Sequence, residues 1–177
     1  GLSDGLEWKL GTNPLLADTD GDGTIDGEEK IEQQVTLEME GKDCAVSAVS
    51  VELACSGDME NQVFIENTLE KDPLSAGVVG LIGAPIDIQS MTSFEEAVIT
   101  FHYDKELLGE TKEEDLCILW YDEANMTYVM LEDSVIDLEN QTVSYTTDHF
   151  STYLLVDKKI WLDAWRVNMN YDEQTQV

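Results

Sequence analysis

The sequence predicts an all-β protein: an antiparallel β-sandwich over residues 33–157, preceded by a small calcium-binding loop segment over 1–30 and followed by a short helix and linker over 158–177. Three observations carry this expectation. From about residue 33, short runs alternate apolar and polar side chains, the period of a half-buried strand. Clusters of Asp, Asn, Gly and Ser separate the runs about every ten residues, the rhythm of a sandwich or barrel. Before them stands "DTDGDGTIDGEE" (18–29), whose carboxylates recur with the spacing of a loop folded around a hard cation.

Composition sets the outer limits. The chain has 177 residues, 42% of them hydrophobic, enough for one packed domain and an appendage. Its 9 Lys and Arg face 38 Asp and Glu, a formal charge of -29, so a phosphate backbone is repelled and no nucleic-acid partner is expected. Such an excess of carboxylate repels itself unless it is solvated or neutralised by bound cations, which makes a divalent metal the first candidate ligand. No apolar run is long enough to span a membrane, and Gly1-Leu2-Ser3-Asp4 opens the sequence without a basic and then apolar leader. Cys44, Cys55 and Cys117 have no zinc-like spacing. A Cys44–Cys55 bridge is left open, and Cys117, within "LCILWY", is expected to be an inert core residue.

In the acidic loop, Asp18, Asp20 and Asp22 take positions 1, 3 and 5 of a twelve-residue calcium loop, Gly23 position 6, Thr24 position 7, Asp26 position 9 and Glu29 position 12. Alternate carboxylates of a tight loop can turn inward on one ion. Gly23 supplies the bend, Thr24 a carbonyl and Glu29 a closing bidentate carboxylate. The expected metal ligands are therefore Asp18, Asp20, Asp22, Thr24, Asp26 and Glu29, the ion Ca2+, and Ile25 is expected to pack beneath the loop. "GLSDGLE" (1–7) repeats the pattern of "GTIDGEE" (23–29), so it reads as the back half of an earlier copy in an array.

With "WKLGTNPLLADTD" between the two copies, residues 1–30 resemble the thrombospondin type 3 repeats of secreted and cell-surface proteins. The resemblance implies an extracellular or cell-wall location, an extended calcium-bound connector, and flanking domains of a larger parent chain as partners. It leaves Asp4 and Glu7 as orphaned ligands. Glu29 departs from the family, which often has Asp there, and brings the loop closer to an EF-hand. A lone loop without paired helices makes a poor intracellular calcium sensor.

The strands are expected in order at "QVTLEME" (34–40), "AVSAVSVEL" (45–53), "NQVFIENTL" (61–69), "GAPIDIQS" (83–90), "EEAVITFHYD" (95–104), "LCILWYD" (116–122), "MTYVMLE" (126–132), "SVIDLE" (134–139), "TVSYTTD" (142–148) and "STYLLVD" (151–157). "KDPLSAGVVGLIG" (71–83), with Pro73 and three glycines, reads as a loop or an edge segment, and Asp72-Pro73 as a turn. In "DKKIWLDAWRVN", Ile160, Trp161, Ala164 and Trp165 share one helical face. After Arg166 the polar, aperiodic text reads as a linker.

Motifs of conventional hydrolases and phosphate loops are missing from the sequence, and its two histidines are His102 and His149. His102 sits in the alternating "TFHYD" as a surface or half-buried strand residue. His149-Phe150-Ser151 resembles the cleavage motif of two groups of autoproteolytic β-sandwich domains, that of a nucleoporin and the netrin-receptor and ankyrin-type domains. The order of "GLIGAPIDIQS", "FEEAVITFHYD", "DLCILWYDEANMTYVML" and "VIDLENQTVSYTTDHFSTYLLVD" is similar to the second group over about residues 76–157. That resemblance implies attack by Ser151 on the Phe150 carbonyl, an N-to-O acyl shift, and hydrolysis of the ester to a noncovalently associated pair. His149 is suited to relay the proton, and Asp148 could orient it although strand neighbours face opposite ways. The same residues equally suit an uncut sandwich, with Phe150 in the core, Ser151 capping a bulge and His149 at the surface. A self-cleaving module and a structural or adhesion spacer therefore both stand, with no activity on external substrates expected. An extracellular ligand is also open, since Trp120, Tyr121 and Tyr128 could stack on a sugar or fill core.

Overall fold

The computed structural model describes residues 2–41 and 44–174. Its elements are helix α1 (Asp4–Leu10), strands β1 (Ile31–Glu38), β2 (Val46–Cys55) and β3 (Val63–Asn67), helix α2 (Pro73–Ala76), strands β4 (Leu81–Ser90), β5 (Ala97–Tyr103), β6 (Leu116–Asp122), β7 (Thr127–Leu131), β8 (Val135–Asp137), β9 (Thr142–Thr147) and β10 (Thr152–Asp157), and helix α3 (Lys158–Gln174). The strands form two five-stranded antiparallel sheets, β1-β2-β5-β9-β8 and β3-β4-β10-β6-β7, as the alternating runs predict. Among the described residues, no helix is long and apolar enough to cross a membrane.

Alternation places the core. In β5, Ala97, Ile99, Phe101 and Tyr103 are buried while the residues between them are half-buried. They meet Val49, Val51, Ile86, Ile88, Ile118, Tyr153 and Leu155 in one continuous apolar cluster. Each large side chain buried there contributes about 1.5–3 kcal/mol.

The second sheet is covered on both faces, so β10 is buried from Tyr153 to Asp157 rather than alternating. Behind it Cys117, Leu119, Leu154 and Val156 pack with Val78, Leu81, Met130 and Trp161, the last reaching in from α3. Of the face expected on that helix, Ile160 and Trp165 remain about half exposed. The helix also continues to Gln174, through residues expected to be a linker, because nothing in 167–174 breaks it: neither Gly nor Pro occurs there. Of the expected linker, 175–177 lie outside the described residues.

Two further expectations are corrected, and the open question of a Cys44–Cys55 bridge is answered. The 71–83 segment is neither all loop nor edge, since β4 starts at Leu81 and lies between β3 and β10. Asp72-Pro73 opens α2, with the Asp72 carboxylate accepting from Leu74 N and Ser75 N and Pro73 at the first turn, where no amide is needed. Cys44 and Cys55 are free thiols. Cys55 is the last residue of β2 and Cys44 lies before its first, and ten strand residues at about 3.3 Å each hold the two thiols about 30 Å apart. Gly80 is required where the chain crosses the start of α3: at φ +84°, an added Cβ would stand 3.0 Å from Asp157 O and 3.3 Å from Ile160 Cβ.

Candidate functional site

The acidic loop is wound by its own carboxylates. Asp18 accepts from Gly21 N at 2.7 Å and Gly23 N at 3.0 Å, Asp20 from Asp22 N at 3.0 Å, and Asp22 from Thr24 N at 2.7 Å. Gly21 and Gly23 turn the chain at φ +78° and +103°. Three aspartates and Glu29 thereby converge: one carboxylate oxygen each from Asp18, Asp20, Asp22 and Glu29 lies within 4.8 Å of the others. Partial burial, and then the charges of Asp20, Asp26, Asp22 and Asp18, push the Glu29 carboxyl above its ordinary pKa. An all-oxygen, anionic donor set fits a hard divalent cation such as calcium, which takes six to eight oxygens.

Asp26 stands apart from that cluster. Its carboxylate is turned to Thr19, accepting from the amide at 2.7 Å and the hydroxyl at 2.9 Å, while its own amide donates to Ala17 O at 2.9 Å. The Thr19 hydroxyl in turn accepts from Asn13 N at 2.8 Å. Asp26 is buried to 2% exposure and ties the end of the loop to its beginning. Thr24 lies half-buried on the loop, its amide engaged with Asp22. Ile25 does not pack beneath the loop but is 41% exposed, because the segment has too few apolar residues to enclose it; Trp8, Leu15 and Leu16 are exposed as well. Asp4 and Glu7 sit on α1 outside the four-carboxylate group, Asp4 exposed and Glu7 buried. Exposed ion pairs, Lys9 with Glu60 and Lys30 with Glu95, link this segment to the sandwich.

Residues 148–151 form the bend between β9 and β10. Because they leave the strand, Asp148 and His149 do not face opposite ways: His149 Nδ1 is 2.9 Å from Asp148 Oδ1. That contact holds the Asp148 carboxyl below its ordinary pKa. The imidazole stands edge-on to Trp120, with ring centroids 4.5 Å apart. Thr147 Oγ1 and Tyr153 OH both donate to His149 O, at 2.9 and 2.8 Å, fixing the bend. Phe150 packs on Phe94 at 4.3 Å between centroids. Ser151 Oγ donates to Tyr121 O at 2.7 Å, and Ser151 O accepts from Ile88 N at 3.1 Å, so this one residue stitches β10 to β6 and β4. Among the described residues, His149 has ring contacts with Asp148 and Thr147, and the Ser151 hydroxyl engages Tyr121. In this arrangement the serine proton is bound to a carbonyl rather than presented to a base.

His102 is half-buried on β5, its Nε2 3.1 Å from Ser50 Oγ. Tyr121 and Tyr128 lie with ring centroids 5.2 Å apart, and Tyr128 OH bonds Ser75 Oγ at 2.7 Å. Thr19, a residue with no expected role between two ligand positions, holds Asp26. Tyr121, noted for its ring, holds Ser151 through a backbone atom that no motif encodes.

A family model described as bacterial TSP3 repeat matches residues 1–17. Such repeats bind calcium and are typically extracellular. The match ends just before the acidic loop in which the four carboxylates converge. No curated protein and no solved structure matches the chain.

Proposed function

We propose that this chain is an extracellular connector module in which one calcium ion, held by Asp18, Asp20, Asp22 and Glu29 with the Thr24 carbonyl, stiffens the joint between α1 and an uncut β-sandwich. The observation that carries the reading is the convergence of four carboxylate oxygens within 4.8 Å of one another. Unneutralised, those charges oppose the loop's folding, whereas a bound divalent ion reverses the sign of the interaction. Asp26 serves as a positioning residue, closing the loop through Thr19 without joining the four. The sandwich then transmits load between flanking domains of a parent chain. Limited proteolysis tests the joint: residues 11–30 should be cut slowly in calcium and rapidly in chelator, and equal rates would contradict a calcium-stiffened connector.

The Asp148–His149 contact favours a second reading, self-cleavage at Phe150–Ser151. The Ser151 hydroxyl would first leave Tyr121 O, passing its proton to His149. Its Oγ would then bond the Phe150 carbonyl carbon as the C–N bond breaks and the Ser151 nitrogen takes that proton. Water would hydrolyse the ester to a Phe150 carboxylate and a free Ser151 hydroxyl. Because β10 pairs with both β4 and β6, the fragments would stay together in the sheet.

A further inference from the structure

Two hairpins of the sandwich turn in the same way. In the β6–β7 turn, Asp122 accepts from Ala124 N, Asn125 N and Asn125 Nδ2 at 3.0, 3.2 and 2.6 Å. In the β8–β9 turn, Asp137 accepts from Glu139 N, Asn140 N and Asn140 Nδ2 at 2.9, 3.0 and 2.7 Å. The next residue is left-handed in each, Met126 at φ 52° and Gln141 at φ 53°, the only non-glycine residues with positive φ among those described. These bonds hold both carboxyls below their ordinary pKa, the Asn125 side chain acting most on Asp122 and the Asn140 backbone on Asp137.

The turn residues also spell an acceptor sequence. Asn125-Met126-Thr127 and Asn140-Gln141-Thr142 are both Asn-X-Thr with X other than proline, and none of the other five asparagines in the chain is followed by this pattern. Both asparagines are exposed at hairpin tips. The two turns lie on the same side of the sandwich, where β7 and β8 are the sheet edges, but at opposite ends of the strands. A bulky adduct at either tip meets solvent rather than core, and the two do not collide.

We propose that Asn125 and Asn140 are N-glycosylation sites, each accepting an oligosaccharide from a lipid-pyrophosphate-linked donor through an oligosaccharyltransferase. Nδ2 bonds to C1 of the first sugar while the C1–O bond to pyrophosphate breaks. The leaving pyrophosphate keeps the electron pair, and one Nδ2 proton passes to a base of the transferase; nothing is oxidised or reduced. Chemistry and turn are compatible, because each Nδ2 carries two hydrogens and one suffices for its aspartate. The substituted amide keeps the other N–H for Asp122 or Asp137, so the hairpin survives modification. Sugars here would also shield the β7 and β8 edges, whose unpaired backbone groups otherwise invite pairing with another chain.

The proposal rests on the extracellular reading, since oligosaccharyl transfer acts on exported chains. The test is peptide mapping and intact mass of the chain recovered from the cells that make it, by cell fraction, beside Thr127→Val and Thr142→Val. These replacements keep a β-branched strand residue and leave the Asp-Asn turns untouched. The expected result is a hexose- or N-acetylhexosamine-containing adduct on both asparagines, with Asn125 unmodified in Thr127→Val and Asn140 unmodified in Thr142→Val. An exported chain carrying neither adduct would overturn the proposal alone. A chain confined to the cytoplasm would overturn the extracellular reading and this proposal with it.

Discussion

Ser151 Oγ donates a 2.7 Å hydrogen bond to the backbone carbonyl of Tyr121, thirty residues away on the neighbouring strand. This places the one residue that could cut the chain in a structural role, joining β10 to β6 at the mouth of the bend. Phe150, filling space against Phe94, completes a bend built for packing.

Ser151→Ala removes that bond and leaves a part-buried carbonyl without its partner, so it should cost about 0.5–1.5 kcal/mol. Chemical denaturation of the two proteins measures the difference directly. On a denaturing gel with intact mass, the unsubstituted chain should remain a single full-length species after days at 37 °C. Fragments summing to the chain plus one water, with a new N-terminus at Ser151 and none in Ser151→Ala, would establish the self-cleaving reading instead.

Asp20 and Asp26 should separate by when they matter. Asp26→Ala strips partners from Thr19 inside the loop and should lower stability by about 1–3 kcal/mol with or without calcium. Asp20→Ala loses one exposed hydrogen bond from Asp22 N but relieves repulsion among the carboxylates, so it should change the calcium-free protein little and lower mainly the calcium-bound form. Paired melts in calcium and in chelator read both effects. Equal behaviour of the two variants would mean that Asp26 is a ligand like the others.

Acidification should release the ion through Glu29 first. Its raised pKa means that the calcium-free loop favours neutral Glu29: that contribution is full below the ordinary glutamate value and is lost as pH rises through the raised one. Once ionised, Glu29 is repelled by the aspartates of the calcium-free loop, and calcium neutralises that repulsion. Where Glu29 is protonated, binding must displace a proton. Calcium affinity should start to fall at a pH above the ordinary glutamate value, with proton release seen calorimetrically in buffers of different ionisation enthalpy. In Glu29→Gln that first fall should disappear.

Gly80→Ala forces a side chain into a left-handed position beside Asp157 O and the first turn of α3. Strain of this kind costs about 1–3 kcal/mol, and the outer cluster under Trp161 should loosen with it. Thermal denaturation and tryptophan fluorescence would show both. A variant with unchanged melting would mean that α3 adds little to the sandwich.

The ten strands were legible because period-two alternation and turn residues agree along the whole body of the chain. The acidic loop was legible because carboxylate spacing and Gly23 encode it locally. What escaped notice depends on contacts between distant residues or on packing. The outer face of β10 is buried by Val78, Leu81, Met130 and, from α3, Trp161, distant residues that the strand's own text does not mention. Beyond Arg166 the sequence no longer continues the apolar face of Ile160, Trp161, Ala164 and Trp165, so the polar text to Gln174 reads as linker. Asp26 has the spacing of a ligand, yet its carboxylate is taken by Thr19, and the partner of Ser151 is a backbone atom that carries no residue identity.

The most direct test of the connector is a calorimetric calcium titration of the whole chain, repeated with Asp20→Ala and with Asp148→Ala as a control outside the loop. The expected isotherm is that of a loop of the extracellular class, with a dissociation constant of roughly 10⁻⁴–10⁻³ M. It should weaken about tenfold or more in Asp20→Ala and stay unchanged in Asp148→Ala. No calcium binding by the unsubstituted chain, or the same affinity after Asp20→Ala, would contradict a calcium site at these carboxylates.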